Sequence, residues 1–177
     1  NDTVLFLVSG GGSALFTDPL IPLCEVQGIT DALLKSGASI QEMNTVRKHL
    51  DKVKGGRFAK MCEPASVFSI VLSDIIGDPL DMIASGPAYP DSTTSKEAME
   101  ILRKYNIEVS EDAERSIAEE TPAVIKNVET NVSGSVNQLC LATPDSCRRL
   151  GYAPILLSTA MTGFAIDAGR DLAIIAK

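Results

Sequence analysis

Two short apolar runs, each stopped by a glycine-bearing polar loop, constrain this chain most. Val4 to Val8 is unbroken, with a β-branched valine at each end, and it stops at Ser9-Gly10-Gly11-Gly12-Ser13. Val67 to Leu72 is the second run, and it passes into Ser73-Asp74-Ile75-Ile76-Gly77-Asp78-Pro79. Runs this short and continuous suit strands buried on both faces. Between and after them the periodicity turns helical. Gln27 to Leu34 reads as a helix stopped at Gly37, and Ile40 to about Leu50 as a second one capped by Ser39. A short helix to Met61, one from Ser95 through Tyr105 and one over Ser110 to Glu119 follow. Thr121 to Gly134 reads as a polar, flexible connection. Val136 to Leu141 and Pro154 to Leu157 read as strands, and Pro144 to Leu150 and Gly163 to Ala176 as helices. Strands alternating with helices predict a Rossmann-like α/β fold, a largely parallel sheet with helices on both faces.

Charge narrows the function classes. The net charge of −7 opposes a nucleic-acid scaffold, which needs a basic surface, and opposes docking on anionic membranes. No apolar run approaches the roughly 20 residues that cross a bilayer, and no signal peptide is visible. Four cysteines without C-x-x-C spacing, and one histidine, do not make a zinc site. Four reduced thiols fit a cytoplasmic protein. The chain starts at Asn1, two residues before a strand, and ends at Lys177 within or just after a helix. Residues 1–177 therefore read as a fragment of something larger.

Ligands of open α/β sheets bind beyond the carboxyl ends of the strands, which directs attention to the two loops. In Ser9-Gly10-Gly11-Gly12-Ser13 the glycines let a ligand approach backbone N–H groups, and a following helix would add its dipole. A phosphate cradle and a plain strand-to-helix turn are equally open readings. The loop is no Walker motif, and Leu15 stands where a dinucleotide fingerprint needs glycine. Asp74 and Asp78, four residues apart, suit magnesium, which takes one or two carboxylates with water and phosphate oxygens. Turn capping by Asp74 and helix initiation after Asp78 are the plain alternatives. Asn44, Arg47 and Lys48 share a helix face that Lys54 would continue, a stripe able to clamp a carboxylate or phosphate. A solvated face is the ordinary reading of such a stripe. His49 reads as a packing or surface residue. Ser85 and Gly86 lie in a long loop with Pro90 to Thr93, and long loops in compact domains are often functional.

In order, VSGGGSAL (Val8–Leu15), SGASIQEMNTVRKHLDKVKGGR (Ser36–Arg57) and LSDIIGDPLDMIASGP (Leu72–Pro87) resemble the N-terminal domain of the glycerate 2-kinases that carry a MOFRL domain. LGYAPILLSTAMTGFAIDAGRDLA (Leu150–Ala173) is similar to that family too. The resemblance implies ATP- and magnesium-dependent phosphorylation of glycerate to 2-phosphoglycerate, in a cleft between two α/β domains. It implies that a preceding segment and the MOFRL domain are missing here, the second domain being an intramolecular partner. Relatives are also labelled hydroxypyruvate reductases. That activity, a different sugar-acid kinase and a non-catalytic ligand-binding domain are the alternatives.

On this reading Ser9, Gly10, Gly11, Gly12 and Ser13 receive a phosphate or the carboxylate of glycerate. Arg47 and Lys54 neutralise charge, and Asn44 orients glycerate. Ser85 and Gly86 line the site. Asp74 or Asp78 holds magnesium, and Asp74 is the alternative proton acceptor. Phe164 stands where the family usually has an acid.

Overall fold

The computed structural model describes residues 2–176. Three parallel strands form one sheet in the order β1 (Thr3–Ser9), β2 (Ser66–Leu72), β3 (Val128–Gly134). Parallel neighbours need long crossovers. The first holds α1 (Gly12–Leu15), α2 (Leu23–Lys35), α3 (Ile40–His49) and α4 (Arg57–Met61), and the second holds α5 (Ser95–Lys104) and α6 (Glu111–Ala118). Two further helices follow β3, α7 (Val136–Arg149) and α8 (Ala165–Ile175). The α/β class and the parallel sheet are those expected from the sequence.

Two apolar clusters hold these elements. One joins α2, α3, α5 and α6 through Ile29, Leu33, Met43, Val46, Ala98, Leu102, Ala113 and Ile117. The other lies on one sheet face, where Val67, Ala59 and Ala88 pack with Val4, Phe6 and Phe58. Phe6, Phe16 and Phe58 form a ring trio with centroids 4.7 to 5.4 Å apart, which ties β1, the glycine-loop exit and α4 together. On the opposite sheet face Leu5 and Leu7 are 61% and 67% exposed. The apolar run in β1 thus lacks cover on that face among the described residues.

Local signals explain most boundaries. Ser39 caps α3 in a capping box: its hydroxyl accepts from Glu42 N (3.2 Å), and the Glu42 carboxylate accepts from Ser39 N (2.8 Å). Thr94, one residue before the expected Ser95, caps α5 in the same way. Three expectations fail. Val136 to Leu141 is not a strand but the first half of α7, which runs unbroken through Pro144. Ser135 accepts from Gln138 N (3.3 Å), a Ser-x-x-Gln cap that outweighs the β-branched Val136. The expected flexible connection ends in β3, whose Val128, Thr130 and Val132 alternate with exposed Glu129, Asn131 and Ser133. Pro154 to Leu157 pairs with no strand among the described residues. All four cysteines are free, and among the described residues no helix is long and apolar enough to cross a membrane.

Candidate functional site

The glycine loop leaves the carboxyl end of β1 and is held from two sides. A Cβ on Gly10 would lie 1.9 Å from Asp74 Oδ2, so only glycine lets the loop after β2 bring its carboxylate there. A Cβ on Gly12 would meet Ala84 Cβ at 3.0 Å. Gly11 has φ +80° and open space around it. The expected helix dipole is missing, because α1 is a single turn of four residues.

Ser13 is the hub. Its carbonyl accepts from Lys54 Nζ (2.8 Å) and Arg47 Nη2 (3.2 Å), and its hydroxyl lies 3.0 Å from Ser85 Oγ. Ser85 donates to Asn44 Oδ1 (3.3 Å). Five predicted residues far apart in sequence thus meet at one point. Lys54 also donates to Phe16 O (2.7 Å) and lies 3.6 Å from Asp51 Oδ2. Its ammonium is buried, with two hydrogen bonds to loop carbonyls and an ion-pair contact to Asp51, so it fixes the loop. Beside the charge-neutralising role expected of it, Lys54 thus has a structural tie to the loop. Burial pushes the pKa of Lys54 down, with Asp51 opposing and Arg47 reinforcing the shift. Burial lowers Arg47 as well, against the pull of Asp51. A guanidinium stays charged nonetheless.

Ser85 sits in a strained turn. Ala84, Ser85 and Gly86 all have positive φ, at 51°, 63° and 63°. For buried residues with a Cβ this conformation costs of order 1–3 kcal/mol each, and such strain gathers at functional sites. The turn is clamped to a second left-handed turn, with Gly55 N donating to Ser85 O (3.0 Å) and Gly56 N to Gly86 O (2.7 Å). Gly86 is required sterically, since a Cβ there would lie 2.8 Å from Asp81 O.

The remaining predicted residues are less connected. Ser9 is exposed and reaches only Gly10 O (3.5 Å). Asp74 is exposed beside Gly10, and the turn after β2 is capped by Ser73, whose hydroxyl accepts from Ile75 N (3.3 Å). Asp78 has φ +51°, and its Oδ1 is buried without a hydrogen-bond partner. Among the described residues no three His, Cys, Asp or Glu side chains gather to hold a metal. Two carboxylates on one loop, one of them with an unsatisfied oxygen, fit the smaller demand of magnesium.

Sequence reasoning missed the anchor beneath this site. Lys48 is fully buried and pairs with Asp91 (3.0 Å) and Asp81 (3.4 Å). Thr93 and Thr121 complete the shell of Asp91. Burial would raise the Asp91 carboxyl, but Lys48 and the Thr93 hydrogen bonds outweigh it and hold it below its ordinary value. Arg57 donates to Lys48 O, Asp51 O and Glu119 O, binding the end of α3 to the end of α6. The stripe on α3 is therefore not a solvated face. His49 is a packing residue, with Nδ1 2.9 Å from Thr45 O.

Residues 1–118 match the family described as Domain of unknown function (DUF4147). The chain belongs to that family. It is 52% identical over 179 residues to a D-glycerate 2-kinase of Thermotoga maritima, which covers 100% of this chain and 43% of that protein. A glycerate 2-kinase of Pyrococcus horikoshii is 42% identical, over 96% of this chain and 41% of the relative. A protein of Agrobacterium vitis named for hydroxypyruvate reductase is 37% identical, over 99% and 41%. A crystal structure of glycerate kinase from T. maritima superposes with a TM-score of 0.88 over 99% of this chain and 43% of its own. This DUF4147 chain thus spans less than half the length of the relatives it matches, and it corresponds to their N-terminal domain. The kinship expected from the sequence is the one found.

Proposed function

We propose that this chain forms the N-terminal part of an enzyme that phosphorylates glycerate to 2-phosphoglycerate at the expense of ATP, with the rest of the cleft supplied by a second domain. The observation that carries this reading is the convergence of Arg47, Lys54 and Ser85 on Ser13 under the glycine loop, with Asn44 behind Ser85. Phosphoryl transfer asks a protein for positioning and for offsetting of charge more than for covalent chemistry. Arg47 spends one donor on the Ser13 carbonyl. The remaining N–H groups of its guanidinium offset negative charge on the substrate. Lys54 holds the loop in shape. Asn44 and Ser85 orient glycerate, and Gly10, Gly11 and Gly12 give it access to the backbone.

Asp74 and Asp78 are the residues that would hold magnesium, which when bound offsets charge on phosphate oxygens. Asp74 is the alternative acceptor of the hydroxyl proton. A cytoplasmic location fits the four free thiols. The reductase alternative gains nothing from the loop, where Leu15 replaces the glycine of a dinucleotide fingerprint.

The test is ATP-dependent formation of 2-phosphoglycerate by the full polypeptide that carries this chain. Arg47→Ala is expected to lower kcat/KM on the order of a hundredfold or more, the scale of losing one charge-stabilising donor. Wild-type kinetics in that variant would remove Arg47 from the site. Absence of phosphoryl transfer in the wild type would end the kinase reading.

A further inference from the structure

We propose that Ser69 and Thr130 hold one structural water between the sheet and the segment that follows the strained turn, a site that does not depend on the kinase reading. Ser69 on β2 and Thr130 on β3 are register partners, so parallel pairing turns both side chains to the same face of the sheet. It is the covered face, on which Val67 packs with Ala59 and Ala88. Ser69 is 1% exposed. The two hydroxyls bond neither to each other nor to any other group among the described residues. A buried hydroxyl left alone is costly, and nearly all such groups in folded proteins find a protein or water partner.

Both side chains line one small cavity of about 10 Å³, counted as the space open to the centre of a water molecule. By that measure a single water needs about 10–15 Å³. The other walls are largely apolar, among them Phe6, Val71, Leu80 and Ile83, and no charged side chain lines the cavity. The size excludes an organic ligand, and the neutral lining opposes an ion. Ala88 borders the same cavity and is 5% exposed, and neither its N–H nor its C=O forms a hydrogen bond among the described residues. A buried water makes about three hydrogen bonds, which the two hydroxyls and this main-chain unit supply. The bridge ties β2 and β3 to the chain just past Gly86, the last residue of the left-handed turn that holds Ser85.

The experiment joins crystallography of the full polypeptide that carries this chain, at a resolution that shows ordered water, to thermal unfolding of variants. The wild type is expected to show one water peak within hydrogen-bond distance of both Ser69 Oγ and Thr130 Oγ1. Ser69→Ala is expected to lower Tm by about 2–4 °C, the worth of one buried hydrogen bond in a domain of this size. Thr130→Val keeps the shape and removes the second hydroxyl. Combined with Ser69→Ala it should add less to the loss than it takes alone, because one water serves both groups. A Tm that holds or rises in Ser69→Ala overturns the proposal, since removing a hydroxyl from a dry apolar site relieves a burial cost. Strictly additive losses overturn it too, as does a map with no water peak shared by the two hydroxyls. The kinase reading is tested separately by formation of 2-phosphoglycerate, and neither result bears on the other.

Discussion

Replacing Lys48 by methionine tests the buried anchor. Methionine keeps much of the length of the side chain and removes its charge. Lys48 and Asp91 both have side chains without solvent exposure and lie 3.0 Å apart, so the substitution leaves a carboxylate buried without its counter-charge. Breaking such a pair from one side costs about 3–5 kcal/mol. At about 2–4 °C per kcal/mol for a chain of this size, Tm falls by roughly 6–20 °C. The pH dependence adds a sign. In the wild type the Asp91 carboxyl is held below its ordinary value by Lys48 and Thr93 against the effect of burial. It therefore contributes stability above an unfolded pKa of about 3.9, and that contribution disappears as pH falls through the folded value. In Lys48→Met, burial acts without the ammonium and the carboxyl rises, so the charged form is costly at pH 7 and protonation relieves it. The deficit against wild type should be largest at pH 7 and should narrow toward pH 4. Adding Asp91→Asn should recover part of the loss, because the orphaned charge is gone. Urea unfolding followed by circular dichroism at both pH values reads all three effects. A loss below about 1 kcal/mol, or a double variant as unstable as the sum of the singles, would refute the reasoning.

Two further perturbations address the loops and the surface. Gly10→Ala places a Cβ where Asp74 Oδ2 stands, so the carboxylate or the loop must move. Activity of the full polypeptide should fall at least tenfold while Tm changes little, and unchanged kinetics would show that Asp74 can swing away freely. Glu42 is held down to about 2, first by its hydrogen bond from Lys104 and then by the one from Ser39 N. Its share of stability is present above the ordinary carboxylate value and lost as pH falls toward 2. Carboxyl NMR titration should show that low midpoint, and Lys104→Ala should move it upward; an unmoved midpoint would assign the effect to the helix cap alone.

The loops of the site were legible because glycine and aspartate mark them by chemistry that needs no partner. Gly10 is required by one atom of Asp74, and both residues stood out after their strands. Lys48 and Asp91 were illegible because their burial depends on a pairing across 43 residues that no local pattern announces. Lys54 was singled out for its charge, yet its carbonyl partners at Ser13 and Phe16, backbone atoms present in every residue, leave no mark in the sequence. The helix α7 was hidden by Val136 and Pro144, two residues that argue for a strand and a helix start. The Ser135 hydroxyl, accepting from Gln138 N at the start of the helix, overrules them. In β3, the alternation of Val128, Thr130 and Val132 was masked by short polar residues between them.

The contacts of Ser13 also bear on how the molecule forms. Its partners Arg47, Lys54 and Ser85 are 34, 41 and 72 residues away along the chain. Contacts of such separation demand the closure of long loops before they return any stabilisation, which slows folding. The hub can therefore exist only once the first crossover and the start of the second are in place. A small molecule that recognises it would bind only states in which these distant segments have met, and would draw the folding equilibrium toward them by mass action. Ligand retention then becomes a gauge of that assembly, sensitive to defects distant in sequence from the glycine loop.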